Sequence, residues 1–293
     1  MRPEVVLLLG ASFWGLGWIP LEHLAAQGLS GMPVVIYTYS LLCLVAVPVL
    51  LAQRHAWWPQ RRALAVVCLC GGWATAGLVG ALSEGDVVRA MLLFYLAPVW
   101  SLLGSRLLLG EQLNASRIGA VLLAMLGIAL TLGIDADTFR PLQGSDWLAL
   151  SAGIAFAANN LATRAAEQVP LASKAFAAFI GAALTGGLFC LQQEVALPAV
   201  APLQWLQLGA FGLFWLTAMS AAQYGFSHVD ASRAAVLVLI ELVVAVLTAA
   251  AFGDRQLGPG EWFGGALVLT AALLAERPSR SHSALAANAP GER

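Results

Sequence analysis

The chain has 293 residues, 60% of them hydrophobic and only 11% charged, with a mean hydropathy of +0.80 and a net charge of −1. Soluble domains carry roughly 25% charged residues, so this composition excludes a string of soluble globular domains and points to a polytopic membrane protein. The near-neutral charge gives no footprint for nucleic acid, which is not expected as a partner.

A helix needs about 20 apolar residues to cross the hydrocarbon core of a bilayer. In chain order the apolar stretches run from Val5 to Ala25, Pro33 to Ala52, Ala63 to Leu82, Val87 to Leu109 and Ser116 to Gly133. After the polar connection Ile134 to Ser145 they resume from Asp146 to Ala166, Leu171 to Leu191, Trp205 to Phe226, Ala231 to Phe252 and Pro259 to Leu274. The first of these follows Arg2 as a signal peptide would, but it is too long for such a segment and lacks a small-residue cleavage site, so it reads as a span. No connection exceeds about a dozen residues, which leaves no room for a soluble domain and places function in the membrane. From Glu276 onward the chain is polar, broken by Pro278, and expected to be a disordered cytoplasmic tail over 276–293. Cys43, Cys68, Cys70 and Cys190 sit inside apolar runs without a CxxC pair and read as free buried thiols.

The stretch from Ser83 to Leu113 occurs twice. Shifted by 144 residues it matches itself at Ser83/Ser227, Asp86/Asp230, Arg89/Arg233, Ala90/Ala234, Leu93/Leu237, Val99/Val243, Leu103/Leu247, Gln112/Gln256 and Leu113/Leu257. Each copy places an Asp three residues before an Arg, crosses an apolar run and closes at Gly110-Glu111 or Gly253-Asp254. That is an internal repeat.

With the N-terminus in the cytoplasm, Arg2, Arg54, Arg61, Arg62, Arg106, Arg117, Arg164, Lys174, Arg233, Arg277, Arg280 and Arg293 fall inside, and only Arg89, Arg140 and Arg255 outside. The positive-inside rule then sets both termini in the cytoplasm of a multi-pass protein of the inner, or plasma, membrane. One period spans five helices, an odd number, so the second copy enters the bilayer from the opposite face. The expected fold is therefore all-α, with ten transmembrane helices as two inverted-topology repeats, residues 1–134 and 135–275. That plan is typical of secondary transporters, whose substrate site lies between the halves near the midplane.

The five-plus-five plan, Trp14-Gly15 in the first helix, FYLAPVWSLLGSRLLLGEQL in the fourth and LVLIELVVAVLTAAAFGDRQL in the ninth resemble the EamA family of the drug/metabolite transporter superfamily. The resemblance covers nearly the whole chain and implies a cavity lined by helices 1 to 4 and 6 to 9, with 5 and 10 peripheral. It implies export of amino acids, other metabolites or amphipathic toxic compounds. Where many relatives read Glu-Pro in the ninth helix this chain has Glu241-Leu242, and Asp254 stands before the tenth segment where Glu is usual. The missing proline removes one expected kink.

Glu241 is the one carboxylate deep in a span, a place where charge costs at least roughly 2.5 kcal/mol. It is the candidate for proton coupling and for the cavity; the competing reading is a protonated clamp to a neighbouring helix. Asn159 and Asn160 can bind a polar substrate or tie helices together. The first and sixth helices align so that Trp14 matches Phe156 and Trp18 matches Asn160. Trp14, Trp18, Trp73, Tyr95, Trp100, Trp215, Tyr224 and Gln223 complete an aromatic, weakly polar candidate lining. Trp57, Trp58, Trp147, Trp205 and Trp262, near span ends, read instead as interface anchors. Pro98 lies mid-span in the fourth helix and is the candidate hinge. Asp86–Arg89 and Asp230–Arg233 read as ordinary helix starts, a cap followed by a cation. Ala120 and Ala124, and Ala178, Ala182 and Gly186, read as close helix packing.

The rival class is a membrane-embedded enzyme, but His23, His55, His228 and His282 all lie at span ends, in loops or in the tail, and no HExxH is present. No cofactor is implied. The expected function is export of a small metabolite such as an amino acid by alternating access, with proton coupling through Glu241, and with efflux of amphipathic cations as the alternative. The expected partners are a small-molecule substrate, the lipid bilayer and protons.

Overall fold

A computed structural model describes residues 2–134, 141–252 and 257–275. Gly253-Asp254, the tail 276–293 and the charged residues Asp135, Asp137, Arg140 and Arg255 lie outside the described residues. Every regular element among the described residues is helical: α1 (Pro3–Leu16), α2 (Trp18–Ala25), α3 (Met32–Ala52), α4 (Arg54–Trp57), a 3-10 turn (Trp58–Gln60), α5 (Arg61–Glu84), α6 (Val87–Phe94) and α7 (Ala97–Leu108). There follow α8 (Ala115–Leu132), α9 (Gly144–Ala165), α10 (Leu171–Gln192), α11 (Pro202–His228), α12 (Ala231–Leu237), α13 (Ile240–Phe252) and α14 (Pro259–Ala275). In hydrocarbon each backbone N–H and C=O must be satisfied within the protein, and a helix does this within its own segment.

Eight of the helical units are long and apolar enough to cross a membrane, counting α1 with α2, α6 with α7, and α12 with α13 as one each. α9 carries Asp146, Asn159, Asn160 and Arg164 and is the polar exception, while α14 has 17 residues. The chain is a multi-pass membrane protein. The helix starts follow local chemistry. Asn114 accepts from the Arg117 N–H at 2.8 Å, and the Gln143 N–H donates to the Asp146 carboxylate at 2.8 Å. Gly133, at φ +74°, ends α8 in a conformation that only glycine adopts freely.

The two halves of the chain bury their faces against each other rather than within themselves. α5 packs along α9 and α10, and α1 packs along α11 and α13. α6 and α7 lie on α9, while α8 and α14 pair with each other. Small residues let these backbones approach, as the sequence reading expected for Ala120, Ala124, Ala178 and Ala182, all of which are buried. At the closest crossing a side-chain carbon on Gly181 would lie 1.8 Å from the Cys68 carbonyl oxygen, and one on Gly72 would meet the Gly181 backbone. Gly181→Ala should therefore lower stability in detergent by about 1–3 kcal/mol, whereas Gly187→Ala, which has open space around it, should leave the unfolding curve in place. The four cysteines are free thiols.

Candidate functional site

Besides the first unit, broken at Gly17, two further helices are broken, one in each half. The fourth apolar unit is interrupted at Tyr95–Leu96, between α6 and α7, and Pro98 starts the second piece. The ninth is interrupted at Val238–Leu239, between α12 and α13, although no proline stands there. The expected loss of a kink at Leu242 is thus corrected. The Leu239, Glu241 and Leu242 N–H groups each bond three residues back, at 3.2, 3.1 and 3.1 Å, so the regular ladder lapses into a tighter turn without a proline. Gly15 of α1 lies against this turn, where any side-chain carbon would come within 2.4 Å of the Glu241 carbonyl oxygen.

Glu241 sits in the first turn of α13, at the positive end of that helix, and is half-buried. Across from it lies the buried Tyr95, at the end of α6, with its hydroxyl close enough to interact with the carboxyl. The carboxyl and this hydroxyl thus come from the two equivalent breaks, one in each half. A group that gains or loses a proton here can pull on both broken helices.

Aromatic rings pack beside this pair. Trp14 meets Phe156 at 6.1 Å between ring centres, Trp215 at 6.4 Å and Phe226 at 6.4 Å. Phe156 reaches Phe94 at 5.5 Å, and Phe94 reaches Tyr95 at 5.7 Å, which links the cluster to Glu241. Trp14 and Phe156, matched in the repeat alignment, are thus in direct contact. An apolar cleft of about 450 Å³ adjoins the cluster between α1–α2 and α11, with Leu16, Ile19, Phe211 and Phe214 on its walls and His23 and Gln207 among its lining.

Several polar atoms within the helices are buried without a protein hydrogen-bond partner, among them the indole N–H groups of Trp14 and Trp100, Asn159 Oδ1, Asn160 Nδ2, and the hydroxyls of Thr38 and Ser101. Asn159 and Asn160 bond to each other at 3.2 Å, so the pair still presents one donor and one acceptor. A buried polar group without a partner costs about 1–3 kcal/mol, so each of these atoms is a position where a polar ligand or water would be stabilising.

The other expected residues are engaged between helices. Trp18 donates to Thr248 Oγ1 at 3.0 Å, tying α2 to α13, and Trp73, on an exposed face, donates to Ser151 Oγ at 3.0 Å. Gln223 is wholly buried and accepts from Thr163 Oγ1 at 2.8 Å, while Tyr224 stacks near His228 at 4.2 Å. Pro98 is buried at the start of α7.

Three polar features did not follow from the sequence reading. Arg89 does not simply follow its cap: Asp86 accepts from the Arg89 backbone N–H at 2.9 Å, but the guanidinium crosses to Asp146 at 2.5 Å. Asp230 does not cap α12, because its carboxylate pairs with the Arg117 guanidinium, whose charge is the stronger partner. Lys174, 2% exposed, donates to the Thr163 carbonyl at 3.1 Å and to Ser227 Oγ at 2.9 Å. It places a cation near the C-terminal ends of α9 and α11, where unsatisfied carbonyls favour one. As the one lysine in the chain, lying inside an apolar span, it was a signal available in the sequence.

A profile described as the EamA-like transporter family matches residues 1–133 and again residues 143–276. No curated protein matches the chain in sequence. One solved structure, described only as the crystal structure of a protein, superposes with a TM-score of 0.74 over 94% of this chain and 98% of that one, at 19% identity. At that identity the likeness concerns the fold alone.

Proposed function

From a chain that belongs to the EamA-like transporter family, within the drug/metabolite transporter superfamily, we infer a ten-span secondary transporter of two inverted five-helix halves. It exports a small metabolite, an amino acid being the first candidate, across the inner membrane by alternating access. The observation that carries the reading is the group of partnerless buried polar atoms of Trp14, Trp100, Asn159 and Asn160, together with Glu241 and Tyr95 beside the breaks of two helices. Indole and amide N–H groups suit a carboxylate, the Asn159 oxygen suits an ammonium, and the rings around Trp14 suit an apolar side chain. Exchange of packing partners between the halves, third helix on first and fourth on first, fits the inverted plan.

The same aromatic surfaces favour a second reading, an amphipathic cation held over indole faces. Overexpression should raise resistance to toxic amino-acid analogues under the first reading, and to amphipathic cationic drugs under the second. If panels of both leave growth and efflux unchanged in cells and vesicles, neither reading survives.

The inverted plan has its own check. Reporter fusions after Ala56 and after Arg277 should both signal cytoplasm, and a periplasmic signal from either removes the orientation on which the export reading stands.

A further inference from the structure

The register that matches Trp14 with Phe156 also matches Glu4 with Asp146, and the 144-residue shift matches Arg89 with Arg233. Both matched sets form ion pairs. Arg89 of α6 reaches Asp146 of α9, and Arg233 of α12 reaches Glu4 of α1. Each arginine starts the first piece of a broken helix and binds the start of the other half's first helix. Each also donates to a backbone carbonyl, Arg89 to Pro141 at 3.4 Å and Arg233 to Ala275 at 3.0 Å.

The two pairs are equivalent in position but not in state. Arg89–Asp146 closes to 2.5 Å with side chains 6% and 5% exposed, while Arg233–Glu4 stands at 3.5 Å with side chains 21% and 27% exposed. The pairs also lie at opposite ends of the bundle, since α1 and α12 begin at one end and α6 and α9 at the other. If the halves are inverted copies, the conformation facing the other side of the membrane is obtained by exchanging their roles.

We propose that Arg89–Asp146 and Arg233–Glu4 are reciprocal latches, one tight and buried while the other is loose and hydrated, which trade states as the transporter changes the side it faces. The inference rests on the inverted plan proposed above but not on the identity of the cargo. Each latch holds one broken helix at its outer start, far from Glu241 but on the same helical piece as the break. Closing one latch at the expense of the other therefore moves the Tyr95 and Glu241 breaks in opposite senses, and weakening one latch shifts the population toward the state in which the other is closed.

The test is hydrogen–deuterium exchange of the full chain in lipid nanodiscs, read on the peptides covering Val87–Phe94 and Ala231–Leu237. Asp146→Asn should speed exchange several-fold in Val87–Phe94 and slow it in Ala231–Leu237. Glu4→Gln, at the less deeply buried pair where folding is least at risk, should do the reverse. The exchanged pair Arg89→Asp with Asp146→Arg should return both segments toward the parent values. A staple with no part in switching would loosen only its own segment, so an unchanged or faster-exchanging far segment in the Glu4→Gln protein overturns the proposal. Reciprocal exchange together with failure of every transport panel would keep the latches and remove the cargo reading.

Discussion

Glu241→Gln should abolish the dependence of substrate flux on a pH gradient while leaving substrate binding and exchange largely intact. Gln keeps the size and hydrogen-bonding ends of a protonated carboxyl but cannot release a proton. In the parent protein the carboxyl sits in the first turn of α13 beside the Tyr95 hydroxyl, so ionisation changes the force between the two breaks. Protonated, the side chain loses most of the desolvation cost that a closing cavity would impose, and proton release on one side then biases the direction of movement. The repeat partner of Glu241 is Ala97, so only one half carries this group. Counterflow and gradient-driven accumulation in proteoliposomes separate the two activities. A Gln variant that still accumulates substrate with the gradient would transfer coupling elsewhere and leave Glu241 as a helix clamp. Tyr95→Phe should shift the pH dependence of flux without abolishing it, since it removes the neighbouring hydroxyl and not the proton site.

Removing the Arg89 guanidinium should be among the most destabilising single changes outside the close helix crossings. Arg89→Ala removes one partner of a buried ion pair with Asp146, a change that costs about 3–5 kcal/mol. Arg233→Ala removes the equivalent charge from a longer and less deeply buried pair, whose loss should fall nearer the roughly 0–1 kcal/mol of surface ion pairs. Unfolding of both variants in mixed detergent micelles should show the contrast. Equal losses would mean that the two pairs do not differ in burial.

Much of the architecture was legible before the structure. Apolar runs of membrane length and a 144-residue period are one-dimensional signals, and the observed helices follow them to within a few residues, as for Leu171–Gln192 and Ala115–Leu132. The interruption of the ninth unit was not legible, because no proline stands in that stretch as Pro98 does in the fourth. The turn at Val238–Leu239 arises instead beside a close backbone approach from Gly15, some 226 residues away in the chain (241 − 15). The partners of charged residues were hidden for the same reason. Asp86 and Arg89 look like a local cap and cation, and the local part is right, but the guanidinium's partner Asp146 lies in the other half. Glu241 stood out as a midplane carboxylate, whereas Tyr95 as its neighbour depends on how α6 and α13 meet. Trp18, Trp73 and Gln223 were chosen by depth and type. Depth does not tell whether a polar tip faces a ligand or a neighbouring helix, and their hydrogen bonds to Thr248, Ser151 and Thr163 are to neighbouring helices.

The most direct test of the central claim is flux through the purified protein alone. Proteoliposomes holding the chain, and matched empty liposomes, would be given labelled apolar amino acids and an amphipathic cation with and without an imposed pH gradient. Saturable movement of at least one of these solutes is expected, accelerated by the gradient and reduced when Asn159 and Asn160 are both changed to Leu. Chemical conversion of a solute without net movement, or the same flux in empty liposomes for every solute tested, would contradict it.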